Sequence, residues 1–439
     1  MSRRPFLACL LTVVLVACTS TGSGDTSTTA TPGASTSVTE STTTTTIEAT
    51  TTSTLPEPTW TELPGVDSLP QAVQDELLGL VRKAEEIRGL RFQEPPSIKV
   101  VSDSELEQLV RDQIAESSDD FPADEALYKL LGLLDQDIDL ESLFADLYGE
   151  QVAGFYDGET KELVVPMRSE GFTAVQRTTL VHELTHALTD QLFGFDEPYR
   201  ALIDDDKLDQ ASAYQALIEG DASLAELQYV QGFSQKELGQ FFAEALNVDS
   251  STLESAPQFL QDSLLFPYDS GLAWVQAEYL QDGWQAINDA YSLFLTLPGS
   301  TEQIITPDDY QRDLPQVIQG NPPTLAGYNL ERESVWGELG FRIMLDQVLG
   351  ESVGIEASDG WGGDYYAQWY DGQNAAIMIL AKGDTERDTE ELRQALLDFA
   401  LTSVPDAAYV WVEVIDGDVV FIAADEPPVG ETILASLGG

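Results

Sequence analysis

Histidine is nearly absent from this chain, with two in 439 residues. Cysteine is as rare: Cys9 and Cys18 both lie near the N-terminus, so nothing beyond residue 18 can form a disulfide. The folded part therefore has to rest on a hydrophobic core. Positive charge is scarce too, with 21 Lys and Arg against 76 Asp and Glu and a formal net charge of −55 at pH 7. Phosphate binding needs a basic face, so nucleic acid is excluded as a partner. The same deficit argues against holding an anionic membrane by charge. Such acidity fits adaptation to high salt and a generally acidic secreted protein equally well. Large apolar residues are almost missing from residue 19 to about 58, a stretch rich in Thr and Ser. It cannot bury enough surface to fold and reads as a flexible tether over 18–58.

The N-terminus carries an address. Arg3 and Arg4 precede a short apolar run from Phe6 to Val16, too short for a permanent transmembrane helix. The run ends in Leu15-Val16-Ala17-Cys18, which resembles a bacterial lipobox. That resemblance implies removal of residues 1–17, lipidation (palmitate among the acyl groups) of Cys18, and a protein anchored on the extracytoplasmic face of a membrane.

Beyond the tether the pattern alternates helices and strands, an α+β class. Helices are expected over Val73–Arg88, from Ser102 or Ser104 to about Ile114, and over Ala123–Leu134 and Leu140–Tyr148. Ser97–Val101 reads as a strand. Val152–Pro166 reads as a hairpin turning at Asp157-Gly158, whose edge offers itself to an extended peptide. Thr173 and Gln176 form a capping box opening a helix that Gly194 stops. Further helices are expected over Asp205–Val230, Lys236–Leu246, Gly271–Ser292 and Tyr328–Leu349, with a second capping box at Ser300–Gln303. Two hairpins, turning at Asp371-Gly372 and Asp416-Gly417, flank a helix over Thr389–Leu401. They give a small C-terminal β-β-α-β-β module, 358–439, after a main domain at 59–357. Trp361 and Asp364 read as core-packing and turn residues.

Both histidines fall in one motif, His182-Glu183-Leu184-Thr185-His186. On a helix, residues four apart share a face, so both imidazoles can reach one metal ion, with Glu183 beside them. A catalytic zinc takes three protein ligands and leaves a position for water. No third histidine exists, so the third ligand has to be a carboxylate, which excludes a three-histidine site. The nearby candidates are Asp190, Asp196, Glu197, Asp204 to Asp206, Glu219, Asp221 and Glu226. Glu219 is preferred: its neighbours Ala216, Gly220, Ala222 and Ser223 are small, and a mid-helix glycine needs a packing reason.

The run from His182 to Asp190 resembles the metal-binding helix of thermolysin-like gluzincins, and Glu219-Gly-Asp-Ala222 resembles their glutamate helix. A strand pair leading into such a helix is the arrangement of a zincin. The resemblance implies a zincin-like catalytic domain, a mixed sheet with an edge hairpin over the motif helix and then a largely helical part. It implies one Zn2+ per chain held by His182, His186 and Glu219, with Glu183 as general base. The spacing around Glu219 differs from thermolysin itself. The wider pattern resembles uncharacterised bacterial extracytoplasmic proteins of this type, through Gly154-Phe-Tyr-Asp, the 179–186 helix, Pro267-Tyr-Asp-Ser-Gly, Ser300-Thr-Glu-Gln and Gly360-Trp-Gly-Gly-Asp.

The expected activity is hydrolysis of a protein or peptide substrate by zinc-activated water, Glu183 moving the proton. An oxyanion donor is needed and no histidine remains for it. Tyr268 is the first candidate, in a turn pinned by Pro267 and Gly271, and Tyr156 the second. Asp221 or Asp190 is expected to hold a ligand imidazole by its other nitrogen. The alternative is a zincin-fold lipoprotein with little turnover that acts in binding or envelope assembly.

Overall fold

A computed structural model describes residues 60–116, 121–151, 154–167, 171–248, 250–296 and 299–438. The signal sequence, Cys18 and the tether lie outside them. No described helix is long and apolar enough to cross a membrane.

The first half wraps a small sheet. Helix α1 (Gln71–Arg88) buries Val73, Leu77, Leu80, Val81 and Ala84 along one face. Strand β1 (Ser97–Val101) follows, and α2 (Asp103–Glu116) is capped by Ser102, whose Oγ accepts from the Glu105 amide. After α3 (Phe121–Leu130) and α4 (Leu140–Gln151) come β2 (Phe155–Asp157) and β3 (Glu162–Pro166). The sheet order is β1-β3-β2, with β1 parallel and β2 antiparallel to β3. Helix α5 (Ala174–Phe193) then opens on the expected capping box: Thr173 Oγ1 accepts from Gln176 N at 3.2 Å and Gln176 Oε1 from Thr173 N at 3.0 Å. It closes at Gly194, whose left-handed φ of 64° suits glycine.

The middle is helical: α6 (Asp196–Asp204), α7 (Leu208–Gln231), α8 (Gln235–Ala245), α9 (Ser251–Ser255), α10 (Gln258–Asp282), α11 (Trp284–Thr296) and α12 (Thr301–Ile305). The helices depart from the sequence reading in several places. Residues 196–204 form a separate helix. Pro267 does not begin a turn: α10 runs through it, and Gly283 divides what was read as one helix. Packing decides this, because α10 lies against α7 with almost no gap. A Cβ on Gly220 would stand 2.2 Å from the Gly271 carbonyl oxygen, and one on Gly271 would stand 2.2 Å from that of Ala216. That contact outweighs the amide missing at Pro267. At α12, Ser300 makes no side-chain cap bond, so the second capping box does not form.

The last part is a five-stranded antiparallel sheet in the order β4-β5-β6-β8-β7. Its elements are β4 (Asn329–Ser334), α13 (Gly337–Leu349), α14 (Glu351–Ser358), β5 (Trp361–Tyr370), β6 (Ala375–Gly383), α15 (Glu386–Ser403), β7 (Tyr409–Ile415), β8 (Asp418–Ala424) and α16 (Pro427–Leu437). Both hairpins are where the sequence puts them. Asp416 and Gly417 both take positive φ, 53° and 97°, the pattern of a two-residue turn that matches strand twist. The segment read as one helix, Tyr328–Leu349, is instead β4 followed by α13, because β4 pairs along β5. The sheet thus starts ahead of residue 358, and α16 is an element the pattern did not give.

One face of this sheet, with Ile377, Ile379 and Phe421, joins Phe121, Leu127, Phe341 and Leu396 in a single core shared with α3, α13 and α15. The other face, with Met378 and Ile422, is covered by Ile433 of α16. A second core, with Val181, Leu184, Leu217, Trp274 and Phe294, surrounds α5 and α7. It is this second core that positions the histidines.

Candidate metal centre

The motif helix is buried almost all round, and its polar residues go down with it. His182 and His186 are each 2% exposed, Glu183 1% and Glu219 0%. Burying four titratable groups is costly unless they meet partners. They meet one another. The imidazoles of His182 and His186, one turn apart on α5, have ring centroids 4.7 Å apart. Glu219 comes from α7, which crosses α5, and its Oε2 lies 3.1 Å from His182 Nε2 and 3.3 Å from His186 Nε2. One ligand atom from each of the three residues falls within 4.8 Å of the other two.

This donor set suits a metal ion. His186 Nε2 and Glu219 Oε1 are buried and make no hydrogen bond, which folded proteins rarely tolerate without a further partner. Two imidazoles and a carboxylate are the donors that a borderline-soft dication takes. The electrostatics agree. Burial works against a charged His182, yet the carboxylates of Glu219, Glu226 and Glu183 overcome it and raise its pKa to about 10. Burial also works against a charged Glu219, and the imidazoles, His186 foremost, reverse that and lower it. The cluster has an excess of negative charge that a cation would neutralise.

The surroundings place the other expected residues. Glu183 is held by the backbone: the Tyr156 amide donates to its Oε2 at 2.7 Å. The outward amide of edge strand β2 is therefore taken by Glu183, not left for an added peptide strand. The Tyr156 hydroxyl points elsewhere, donating to Asp190 Oδ2 at 2.7 Å, so it does not face the histidines. Burial and the Asp190 charge hold that phenol far above its ordinary pKa.

Neither aspartate expected to steady an imidazole does so. Asp190 binds the Tyr156 hydroxyl and Lys161 Nζ, the latter at 2.5 Å. Asp221 turns from α7 toward α1, where Arg88 Nε lies 2.7 Å from its Oδ1, and Tyr291 donates to its Oδ2 at 2.8 Å. The carboxylate beside His182 is Glu226, with Oε2 3.3 Å from Nδ1. Glu226 lies seven residues after Glu219, two turns along the same face of α7, and that spacing was the available signal. Tyr268 lies mid-α10, half-buried, with its ring centroid 6.4 Å from that of His182. Trp361 and Asp364 are buried away from the metal group, where Asp364 accepts from the Trp336 and Gly337 amides and the Trp361 indole.

Residues 326–429 match a family model described as a domain of unknown function, DUF8575. The match spans β4 to the start of α16. No curated protein and no solved structure matches the chain.

Proposed function

We propose that this chain is a zinc-dependent peptidase of the gluzincin type, with a zincin-like catalytic part and a lipid anchor at Cys18 that holds it to the extracytoplasmic face of a membrane. The observation that carries the reading is Glu219 of α7 against both imidazoles of the motif, with Glu183 beside them. His182, His186 and Glu219 would hold the ion. Zinc, when bound, supplies Lewis acidity toward water and the scissile carbonyl.

The chain's own groups do the rest. Glu183 takes a proton from the attacking water and returns it to the leaving amine. The Tyr156 amide fixes the Glu183 side chain, so the base is oriented by main chain instead of by a mobile partner. Glu226 Oε2, 3.3 Å from His182 Nδ1, would accept the proton there once a metal takes Nε2, the nitrogen turned toward Glu219. Tyr268, whose ring centroid is 6.4 Å from that of His182, would be the donor to the oxyanion of the tetrahedral intermediate. Tyr268 and Glu226, both partly exposed, mark the side on which an extended peptide would approach the group.

The test is metal content by elemental analysis of the full chain, with peptide hydrolysis alongside. About one zinc per wild-type chain is expected, lost in Glu219→Ala. Glu183→Gln should keep its zinc and lose hydrolysis of a mixed peptide pool. A wild-type chain that takes up no zinc from a supplemented buffer, or a Glu183→Gln chain cleaving at the wild-type rate, overturns the reading.

A further inference from the structure

A largely apolar cavity of about 200 Å³ lies beside the metal group. For scale, an apolar cavity of roughly 150 Å³ binds benzene. None of the three ligand residues lines it. On one side its wall is Leu264 and Tyr268 of α10, with Ser212 and Gln215 of α7. Those two polar residues share a helical face with Glu219, and Gln215 is one turn before it. Tyr268 belongs to this wall and also stands against His182. The cavity and the metal group therefore share α7, with Tyr268 of α10 bordering both, while His182 and His186 stand on α5.

Val335, Trp336, Leu339 and Ile343, from the segment that matches the domain of unknown function, also line it, together with residues of α3 and α4. The charged groups at the cavity are Asp124, Asp209 and Arg332, and Arg332 is already paired with Asp124 at 2.8 Å. No cation is left over for an acidic ligand. A large uncharged apolar group fits the lining. The half-buried Ser212 and Gln215 offer hydrogen bonds to a polypeptide backbone running toward Glu219.

We propose that the domain of unknown function is the selecting wall of the substrate site, closing with α7 and α10 a cleft that takes a large apolar side chain of a polypeptide substrate beside the scissile bond. This rests on the peptidase reading. It gives residues 326–429 a task that the metal motif does not explain.

The test is binding, so it does not depend on turnover. Full-length Glu183→Gln protein in lipid nanodiscs is titrated with fluorescent eight-residue peptides carrying Leu and Phe, Ala, or Glu at the central positions. Anisotropy is read with and without added zinc. The Leu/Phe peptide should bind about tenfold or more tighter than the Ala peptide, and the Glu peptide weakest. Ile343→Trp, which fills the cleft from the family-matched side, should abolish the Leu/Phe preference and leave zinc stoichiometry intact. Ile343→Ala, which enlarges the cleft, should move the preference toward a Trp-bearing peptide, and it serves if the first variant fails to fold. Equal binding of the peptides, or a preference unchanged by either folded variant, overturns the proposal. Wild-type enzyme that leaves the bound Leu/Phe peptide uncleaved would instead sink the peptidase reading and leave the cleft assignment standing.

Discussion

Replacing Asp221 by Asn should leave the protein far easier to unfold while barely changing zinc uptake at the His182, His186 and Glu219 group. Arg88 is 1% exposed and Asp221 0%, and their charges meet at 2.7 and 3.1 Å. Arg88 also donates to Asn288 Oδ1 at 2.9 Å and lies 4.0 Å from the centre of the Trp284 ring, so it cannot swing out to water without dismantling that corner. Removing one charge of a buried pair strands the other, at a cost of about 3–5 kcal/mol. That is a large part of the roughly 5–15 kcal/mol by which a typical fold is stable. The measurement is urea denaturation of the metal-free chain, with zinc affinity measured separately. The Arg88→Met/Asp221→Leu pair should recover most of the loss, because both charges go together. A single variant within about 1 kcal/mol of wild type would refute the argument, since it would mean the pair is hydrated. A drop in zinc affinity with stability unchanged would refute it differently, by making Asp221 a support of the ligands.

Other tests separate the remaining roles. Glu226→Gln weakens the acceptor at His182 Nδ1 and should lower zinc affinity about 10–100-fold with little change in stability; unchanged affinity in a competitive chelator titration would remove Glu226 from the centre. Gly271→Ala puts a methyl 2.2 Å from the Ala216 carbonyl oxygen and must push α10 off α7. About 1–3 kcal/mol should be lost in denaturant, with weaker zinc binding because Glu219 moves with α7, and a wild-type melt would contradict the close crossing. Asp364 gives a pH test away from the metal. Burial pushes its pKa up to about 7, against three donors that pull it down, and unfolding returns it to about 3.9. Below pH about 4 it is protonated folded and unfolded; between about 4 and 7 only the folded chain holds the proton. Its contribution to stability should therefore fall as pH rises through that window and level off above it. Asp364→Asn should flatten that part of the stability–pH curve, and an unaltered slope would show that Asp364 ionises in the fold without penalty.

Much of the fold was legible because its signals are local. The capping box at Thr173 and Gln176, the stop at Gly194 and the Asp-Gly turns each need only a few neighbouring residues, and all form. Apart from the capping box at Ser300, what was misread depends on distant partners. Nothing near Asn329 marks it as strand; β4 exists because β5, some thirty residues on, offers an edge. The run from Phe266 to Gly271 carries every local mark of a turn, yet it stays helical because Gly271 has to sit against Ala216 and Gly220. Gly220 did signal a close helix crossing, but the helix it admits is α10 and not α5.

The site divides along the same line. His182, Glu183 and His186 share one helix, so their relation is fixed by spacing alone. Glu219 was chosen because the small residues around it mark a crossing; that crossing is with α10, but α7 also packs on α5 and so brings the carboxylate to both imidazoles. The second carboxylate was missed, Asp221 and Asp190 being expected in its place, although Glu226 repeats the Glu219 face two turns later. Asp221, between them, points to the opposite side of α7, and its partner Arg88 is 133 residues away with no pattern linking the two. The group that orients Glu183 left no mark in the sequence, because it is a backbone amide and any residue but proline at position 156 would supply it. What that position does specify is the side chain behind the amide: the Tyr156 hydroxyl on Asp190 ties β2 to α5 at a second point. Tyr156→Phe should therefore loosen the hold on Glu183 without removing any of the three candidate ligands, so zinc uptake should match wild type in a chelator titration while peptide hydrolysis falls; an unchanged rate would show that the hydroxyl does nothing for Glu183.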